Sequence, residues 1–543
     1  MRPGLGLLLP GTIALVGLAV PLFFFGLGSV GLFDPDEPYY AVPAQEMLRS
    51  GTWAFTVFHG QPWFDKPILF YWMILAAYHA IGVSETAARI GSALAGLSGV
   101  LTVFWVGRRG RLGERGALVA ALALSANLEY ALLARAAITD MTLSLFVTLG
   151  MLAVERYLAR GRALAMGMAG AAFGLAALTK GPVGFLLPGI AVALYAALAR
   201  RSDLFRPRAL LAGAVGAILT AVPWYGYMLS AHRGLLLETF IGEGNVGRFV
   251  SPEHPSFPLY YAVVLAVGLL PWSGALPAAL AAAARPSTWG AERGPGRNAG
   301  PLFLLCWFGA VVAIFEVTAS KLPTYVLPAF APAALLIGGY WDRTLPLGAA
   351  RGPARHALVS AGLGLAVALF SAAAVAVTLR DPDWADARKG AIAFAAVLVL
   401  GSAGALLSVL RRSAAALAAS HAACAAVAML IVVMLALPRL ERTHSALPMV
   451  RDLERAGVAA DVAGVVVAKD WYGFDFYLER ALPRVPRSDL GRSVAARPGG
   501  IWIVHSDQRR TILADPAFVG TTVLAGPAVS AVRLTPAGVG GGR

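Results

Sequence analysis

Three carboxylates fall within four residues in Phe33-Asp34-Pro35-Asp36-Glu37-Pro38-Tyr39-Tyr40-Ala41, and another acid stands beside a lysine in Pro62-Trp63-Phe64-Asp65-Lys66-Pro67. Pro35 and Pro38 stiffen the first stretch, and aromatics surround it where a merely solvated loop would be rich in serine and glycine. A carboxylate held against aromatic rings is partly desolvated, which raises its basicity and suits it to take a proton. Further along, single charges punctuate apolar runs. Asp140 lies in Ala136-Ala137-Ile138-Thr139-Asp140-Met141, and Lys180 is followed at once by Gly181-Pro182. Lys321 lies in Ala319-Ser320-Lys321-Leu322-Pro323-Thr324-Tyr325, with Glu316 one turn before it. Charges in such surroundings are costly and point to function, although lysines there also snorkel their ammonium groups to water. Cations beside Gly/Pro breaks suit a lipid-borne phosphate, held through charge-assisted hydrogen bonds. The segment 237–261 adds Glu243, Asn245, Arg248, Glu253 and His254, of which the lone histidine is more often structural than a ligand. The sequence contains no HExxH, Walker A or strand-bound GxGxxG motif, so zincin hydrolysis and use of cytosolic nucleotide have no support.

The elements that must position these groups are set by composition. Of 543 residues, 58% are apolar or aromatic and 14% charged, with a mean hydropathy of +0.68. Soluble domains carry roughly 25% charged residues, so most of this chain cannot face water. The net charge of +15 comes from arginines clustered between apolar runs. Such clusters read as topology signals and not as a nucleic-acid surface. The two cysteines, Cys306 and Cys424, lie inside apolar runs and leave no disulfide scaffold, zinc finger or thiol redox motif.

A helix needs about 20 apolar residues to cross the hydrocarbon layer. Runs of about that length fall near 6–30, 67–83, 86–107, 117–134, 139–157, 163–179, 181–199, 209–229, 258–282, 301–317, 323–340, 356–378, 391–410 and 415–437. The first is too long for a signal-peptide core and lacks a clear cleavage site. Basic loops at 108–115, 156–162, 200–208, 285–297, 343–355 and 411–412 recur at every second connection, which makes their face cytoplasmic and places Arg2 there too. That pattern requires one of the first three runs not to cross. The run 67–83 is short, starts at a proline and carries Tyr71, Trp72, Tyr78 and His79, residues suited to lying at an interface. The expected architecture is a polytopic α-helical membrane protein with about 13 transmembrane helices, the N-terminus cytoplasmic and the intervening loops acidic and outward. Residues 1–437 form the membrane domain, with outer loops 31–85 and 230–257. Residues 438–543, richer in charge and proline, form a small α/β domain outside the membrane, with strand-length runs at Gly464–Ala468 and Ile501–Val504. The Pro-, Gly- and Arg-rich segment 285–300 reads as a flexible inner connection.

The ordered set Asp-Glu-Pro-x-Tyr-Ala, Asp-Lys-Pro with Tyr-Trp just after, Thr-Asp, Thr-Lys-Gly, Pro-Trp-Tyr and Ser-Lys-Leu-Pro-Thr-Tyr-x-Leu-Pro resembles the GT-C membrane glycosyltransferases, over roughly residues 20–340. The branch it resembles holds the aminoarabinose lipid A transferases and the protein O-mannosyltransferases. The resemblance implies transfer of a sugar from a polyprenyl-phosphate carrier to a glycolipid or protein acceptor at the periplasmic face of the inner membrane. It implies catalytic roles for Asp36, beside Glu37, and for Asp140. Lys66, Arg248, Lys321 and Tyr325 would serve the donor phosphate, with Lys180 a further cation near it. No cofactor follows from the residues alone. A divalent metal seen in the aminoarabinose branch would fall to Asp65 and His254. Tyr39 stands where that branch usually has arginine, and Asp65 where it has glutamate. A transporter or flippase for a lipid-linked sugar is the chief rival. It would show two similar halves with broken helices, and no internal repeat is present.

Overall fold

The computed structural model describes residues 5–109, 112–238, 240, 242, 256–344, 355–380, 388–466 and 471–537. The chain divides into two compact units. One comprises Met1–Phe25, Phe64–Met73 and Arg89–Val432, and the other Gly26–Trp63, Ile74–Ala88 and Val433–Arg543.

Among the described residues eight helices are long and apolar enough to cross a membrane: Glu85–Arg109, Thr139–Arg160, Ala163–Lys180, Pro207–Ala231, Pro323–Thr344, Arg355–Thr378, Arg388–Leu410 and Ala414–His444. Shorter apolar helices occupy Gly11–Phe24, Leu69–Ile81, Val183–Ala199, Ser273–Ala283 and Pro301–Val317. Pro207–Ala231 leaves Leu211 and Leu219 exposed to 66% and 70%, an apolar outer face that suits lipid. Leu69–Ile81, within the run expected to lie flat, has 13 residues. At 1.5 Å per residue it is about 20 Å long, short of a hydrocarbon layer about 30 Å thick.

Within the first unit, two runs expected as continuous spans are broken. The run 117–134 divides into Glu114–Ser125 and Leu128–Leu133. Asn127 makes the division: its side chain accepts from the Tyr130 N–H at 2.9 Å and donates to the carbonyls of Ala123 (2.8 Å) and Leu124 (2.7 Å). The run 258–282 divides into Tyr260–Gly268 and a helix that resumes at Ser273 and Leu276. Between them Pro271 has no N–H with which to continue the ladder. The two breaks satisfy one another, since the Leu128 N–H donates to the Leu270 carbonyl at 3.1 Å. An unpaired backbone group is expensive away from water, so the interruptions are stable only as a pair.

Helices Ala163–Lys180 and Pro207–Ala231 approach closely through small residues. A Cβ on Gly170 would lie 1.9 Å from the Gly213 carbonyl oxygen, and one on Gly216 would lie 2.0 Å from that of Gly167. This is the small-residue packing that lets membrane helices meet backbone to backbone. The segment 285–300 is held rather than loose. Buried Glu292 accepts from the N–H groups of Gly300 (2.6 Å) and Leu302 (2.9 Å) at the start of Pro301–Val317. Arg201 donates to Asp203 at 2.9 and 2.7 Å and to the Arg297 carbonyl at 2.6 Å. Burial alone would raise the Asp203 carboxyl, but these donors, with the Gly296 N–H, hold it below the usual carboxylate range. Composition marked this segment as a linker because the acids that anchor it are single residues lying apart in sequence.

The second unit holds the helix Pro38–Ser50, a hairpin pairing Thr56–Phe58 with Gln61–Trp63, and a five-stranded sheet. The strand order is Arg484–Val485, Val462–Val466, Ile501–His505, Val529–Pro536, Phe518–Ala525, with the first three parallel and the last two antiparallel to their neighbours. Side chains alternate across a strand. Ile501 and Ile503 accordingly pack with Val450, Leu453 and Phe474, while Trp502 and Val504 pack with Leu490, Val494 and Ile512 on the opposite face. The acidic stretch is tied into this unit. Asp34 accepts from the N–H groups of Gly473 (2.7 Å) and Ala446 (3.2 Å) and donates its own N–H to the His444 carbonyl at 2.7 Å.

Candidate functional site

In the first unit Asp140 sits in the first turn of Thr139–Arg160, where an acid complements the helix dipole. Lys180 is the last residue of Ala163–Lys180, which stops where Gly181 takes a positive φ of 84°. The packing of these helices brings Lys180 Nζ to 2.6 Å from Asp140 Oδ1, with the two side chains 16% and 8% exposed. Tyr325, from the 3-10 turn Pro323–Ala329, presents its ring 4.7 Å from the same Nζ and packs 5.4 Å from Phe315. Three residues separated by up to 185 positions thus form one buried cluster. The ammonium has a carboxylate on one side and an aromatic face on the other, both favourable in a low-dielectric site.

Lys321 Nζ lies 2.8 Å from Glu316 Oε1. Glu316 also accepts from the N–H of Leu259 (2.9 Å) and of Tyr261 (3.2 Å), at the start of Tyr260–Gly268, and the Tyr261 hydroxyl donates to the Leu322 carbonyl at 3.1 Å. Lys66, buried, donates to the Asp65 carboxylate and, at 3.3 Å, to its carbonyl. Each lysine that the sequence offers to a phosphate therefore already holds a carboxylate. An arriving phosphate competes with that partner, and the cations are less available than their types alone suggest.

In the second unit Asp36 is exposed, on the turn that leads into Pro38–Ser50. Glu37, 3% exposed, accepts from the Phe33 N–H at 2.9 Å, so one of its tasks is to shape that turn. Burial pushes the Asp34 carboxyl up to about 8, against the opposing pull of its two N–H donors and of Arg484.

Two residues of the first unit escaped sequence reasoning. Arg135 donates to the carbonyls of Leu22 (3.1 Å) and Phe25 (2.7 Å), closing the end of the first helix. Glu129, in the first turn of Leu128–Leu133, is 8% exposed, and its Oε1 has no hydrogen-bond partner among the described residues. An acid inside the apolar run 117–134 is the same signal that singled out Asp140.

Arg248 and His254 lie outside the described residues. Among the described residues no group of three His, Cys, Asp or Glu side chains could hold a metal ion. The Asp65 carboxylate is engaged by Lys66, so the described donor set does not form a metal centre.

Residues 65–227 match the family described as dolichyl-phosphate-mannose-protein mannosyltransferase. The chain is 34% identical over 343 residues to the undecaprenyl phosphate-alpha-4-amino-4-deoxy-L-arabinose arabinosyl transferase of Edwardsiella ictaluri, a match covering 61% of this chain and 60% of that protein's length. It is 32% identical over 383 residues to the enzyme of the same name from Pseudomonas aeruginosa, covering 69% of this chain and 67% of the relative. In fold it is similar to ArnT from Cupriavidus metallidurans in the apo state, with a TM-score of 0.75 at 24% identity, covering 98% of this chain and 99% of the other. The undecaprenyl phosphate-bound crystal structure of that protein gives 0.73 at 22% identity, with the same coverage. The chain belongs to the GT-C family of membrane glycosyltransferases that includes the aminoarabinose lipid A transferases.

Proposed function

We propose that the protein is an integral membrane glycosyltransferase that moves a sugar from a polyprenyl-phosphate donor to a lipid A-type glycolipid on the outer face of the cytoplasmic membrane. Family membership and the names of its relatives support the donor and acceptor classes. The observation that carries the reading is the buried Asp140–Lys180 pair under Tyr325. It is a charged cluster at the ends of apolar helices, where no structural need for charge is evident.

The chemistry is a single displacement at the anomeric carbon. The bond from that carbon to the phosphate oxygen breaks, its electron pair leaves with the polyprenyl phosphate, and an acceptor oxygen bonds with inversion. By motif, Lys66, Arg248 and Lys321 neutralise the leaving phosphate, which is electrostatic stabilisation of charge that grows in the transition state. Asp36 takes the proton of an acceptor hydroxyl. An acceptor phosphate is already ionised and needs little base, and Asp36 then steadies positive charge on the sugar. The membrane domain 1–437 with 13 spans would shelter the polyprenyl tail, with the N-terminus cytoplasmic and residues 438–543 periplasmic. Mass spectrometry of lipid A from a strain lacking the gene tests the acceptor. The sugar-bearing species disappears and returns on complementation. Unchanged lipid A together with altered envelope glycoproteins would contradict a glycolipid acceptor and favour protein O-mannosyl-type transfer.

A further inference from the structure

We infer that Trp105, Arg108 and Arg109 form a binding site for the phosphate of an anionic phospholipid, at the end of the helix Glu85–Arg109. The transfer mechanism uses none of these residues, and the inference does not rest on the transferase reading. Positions 105, 108 and 109 lie three and four residues apart in the last turn and so share one face of the helix. The far side is packed. Val103 and Phe104 are fully buried, and a Cβ on Gly107 would stand 3.4 Å from Leu335 and 3.5 Å from Ala117. That packing turns Trp105, half-buried, and Arg109, exposed, away from the bundle.

The guanidinium carbon of Arg109 lies 5.2 Å from the Trp105 ring centroid, and that of Arg108 lies 5.8 Å from it. The ring attracts each cation, but two like charges gathered on one indole repel. Arg108 Nη1 is closed off from solvent and has no acceptor among the described residues. The acids adjoining this end in sequence, Glu114 and Asp342, pair with neither arginine among the described residues. Asp342 lies against Gly116, where an added Cβ would stand 3.2 Å from its own. A third cation belongs to the same end. Leu112 would meet a Cβ on Gly107 at 3.6 Å and one on Gly339 at 3.1 Å, and Arg343 Nη1 stands 3.5 Å from that same point on Gly339. The cluster therefore offers several N–H donors and no anion. A phosphate brings the charge together with several acceptor oxygens, in the geometry that guanidinium groups bind best. The rest of the face indicates that this phosphate is carried on a lipid. Leu94, about three turns before Trp105 on the same side, is 50% exposed. An apolar surface below, an indole at the junction and cations above match the boundary between hydrocarbon and headgroups. A phospholipid satisfies both halves, with acyl chains along Leu94 and its phosphate on the arginines. A soluble phosphate satisfies only one.

The test uses the purified full-length protein in detergent, with dioleoyl phosphatidylglycerol, dioleoyl phosphatidylcholine and soluble glycerol 3-phosphate as probes, read by native mass spectrometry. The wild type retains phosphatidylglycerol in preference to phosphatidylcholine, and an excess of glycerol 3-phosphate does not displace it. An arginine at the membrane surface contributes about fivefold in affinity for anionic lipid. Arg108→Gln or Arg109→Gln therefore weakens one retained phosphatidylglycerol about fivefold. The double variant weakens it about twenty-five-fold and so holds one such lipid fewer, with an unchanged unfolding temperature in lipid-free detergent. A second reading leaves both arginines in place, should the double variant not fold. Dibrominated phosphatidylglycerol quenches more of the wild-type tryptophan fluorescence than dibrominated phosphatidylcholine does, and Trp105→Phe removes that difference. Equal retention of the two lipids, a double variant that holds as many phosphatidylglycerol molecules as the wild type, or a quenching difference that survives Trp105→Phe overturns the inference. Displacement by glycerol 3-phosphate also overturns it, in favour of a soluble anion.

Discussion

Removal of one member of the Asp140–Lys180 pair separates a chemical role from a structural one. Asp140→Asn strands an ammonium whose side chain is only 16% exposed, and Lys180→Met strands a carboxylate that is 8% exposed. Breaking a buried ion pair on one side costs about 3–5 kcal/mol. Lys180 keeps the face of Tyr325, worth roughly 0.5–2 kcal/mol, so Asp140→Asn belongs near the bottom of that range, at about 3 kcal/mol. The double variant leaves no stranded charge and should be more stable than either single variant, as coupled neighbours are. Unfolding in detergent micelles measures this order. Sugar transfer by the same preparations then decides the role. If the pair serves the reaction, all three variants lose at least about a hundredfold in turnover, the usual scale for a group acting on the transition state. The double variant recovers stability without recovering rate. Recovery of both together would refute the reasoning and reduce the pair to a strut between two helices.

Glu316→Ala removes the acceptor of two backbone N–H groups and the partner of Lys321. It should destabilise the protein by about 2–3 kcal/mol, with Glu316→Gln costing less, and thermal unfolding of the two variants checks the order. Asp34 gives a pH dependence with a definite sign. Its folded-state value of about 8 stands above the ordinary carboxylate value, so between about pH 4 and 8 the folded chain keeps a proton that the unfolded chain has released. Stability contributed by this group is complete at low pH and declines as pH rises through 8. Unfolding at pH 5 and pH 8 should show the decline, Asp34→Asn should flatten it, and a rise would contradict it. Asp36→Asn, on an exposed turn, should abolish transfer with the unfolding temperature unchanged, and near-normal turnover would remove the catalytic role assigned to Asp36.

The membrane elements were legible because hydrocarbon imposes a length on every helix that crosses it, and long apolar runs admit few other readings. The breaks were not, because a single Asn127 or Pro271 inside an apolar run barely alters its composition, while the Leu128–Leu270 hydrogen bond that makes both breaks tolerable joins distant positions. Glu129 was lost with them, hidden in a run that looked continuous. The site lysines were legible by type and by the Gly/Pro breaks beside them. Lys321 with Glu316 lies within reach along the chain, but Lys180 with Asp140 is 40 residues apart, and only the packing of two helices pairs them. In the soluble-looking C-terminal region the strands Val462–Val466 and Ile501–His505 fall close to the two apolar runs that announce them. Phe518–Ala525 gave no such signal, because it lies at the sheet edge with much of its length in solvent.

Whether the protein forms the glycosidic bond or only relocates a lipid-linked sugar is decided by one assay, run with purified protein in detergent, where there are no compartments to transport between. A transferase passes radiolabelled sugar from undecaprenyl phosphate to lipid A under these conditions, in a reaction abolished by Asp36→Asn. Label that stays on the carrier in detergent, while the same protein moves the lipid across vesicle membranes, would contradict it.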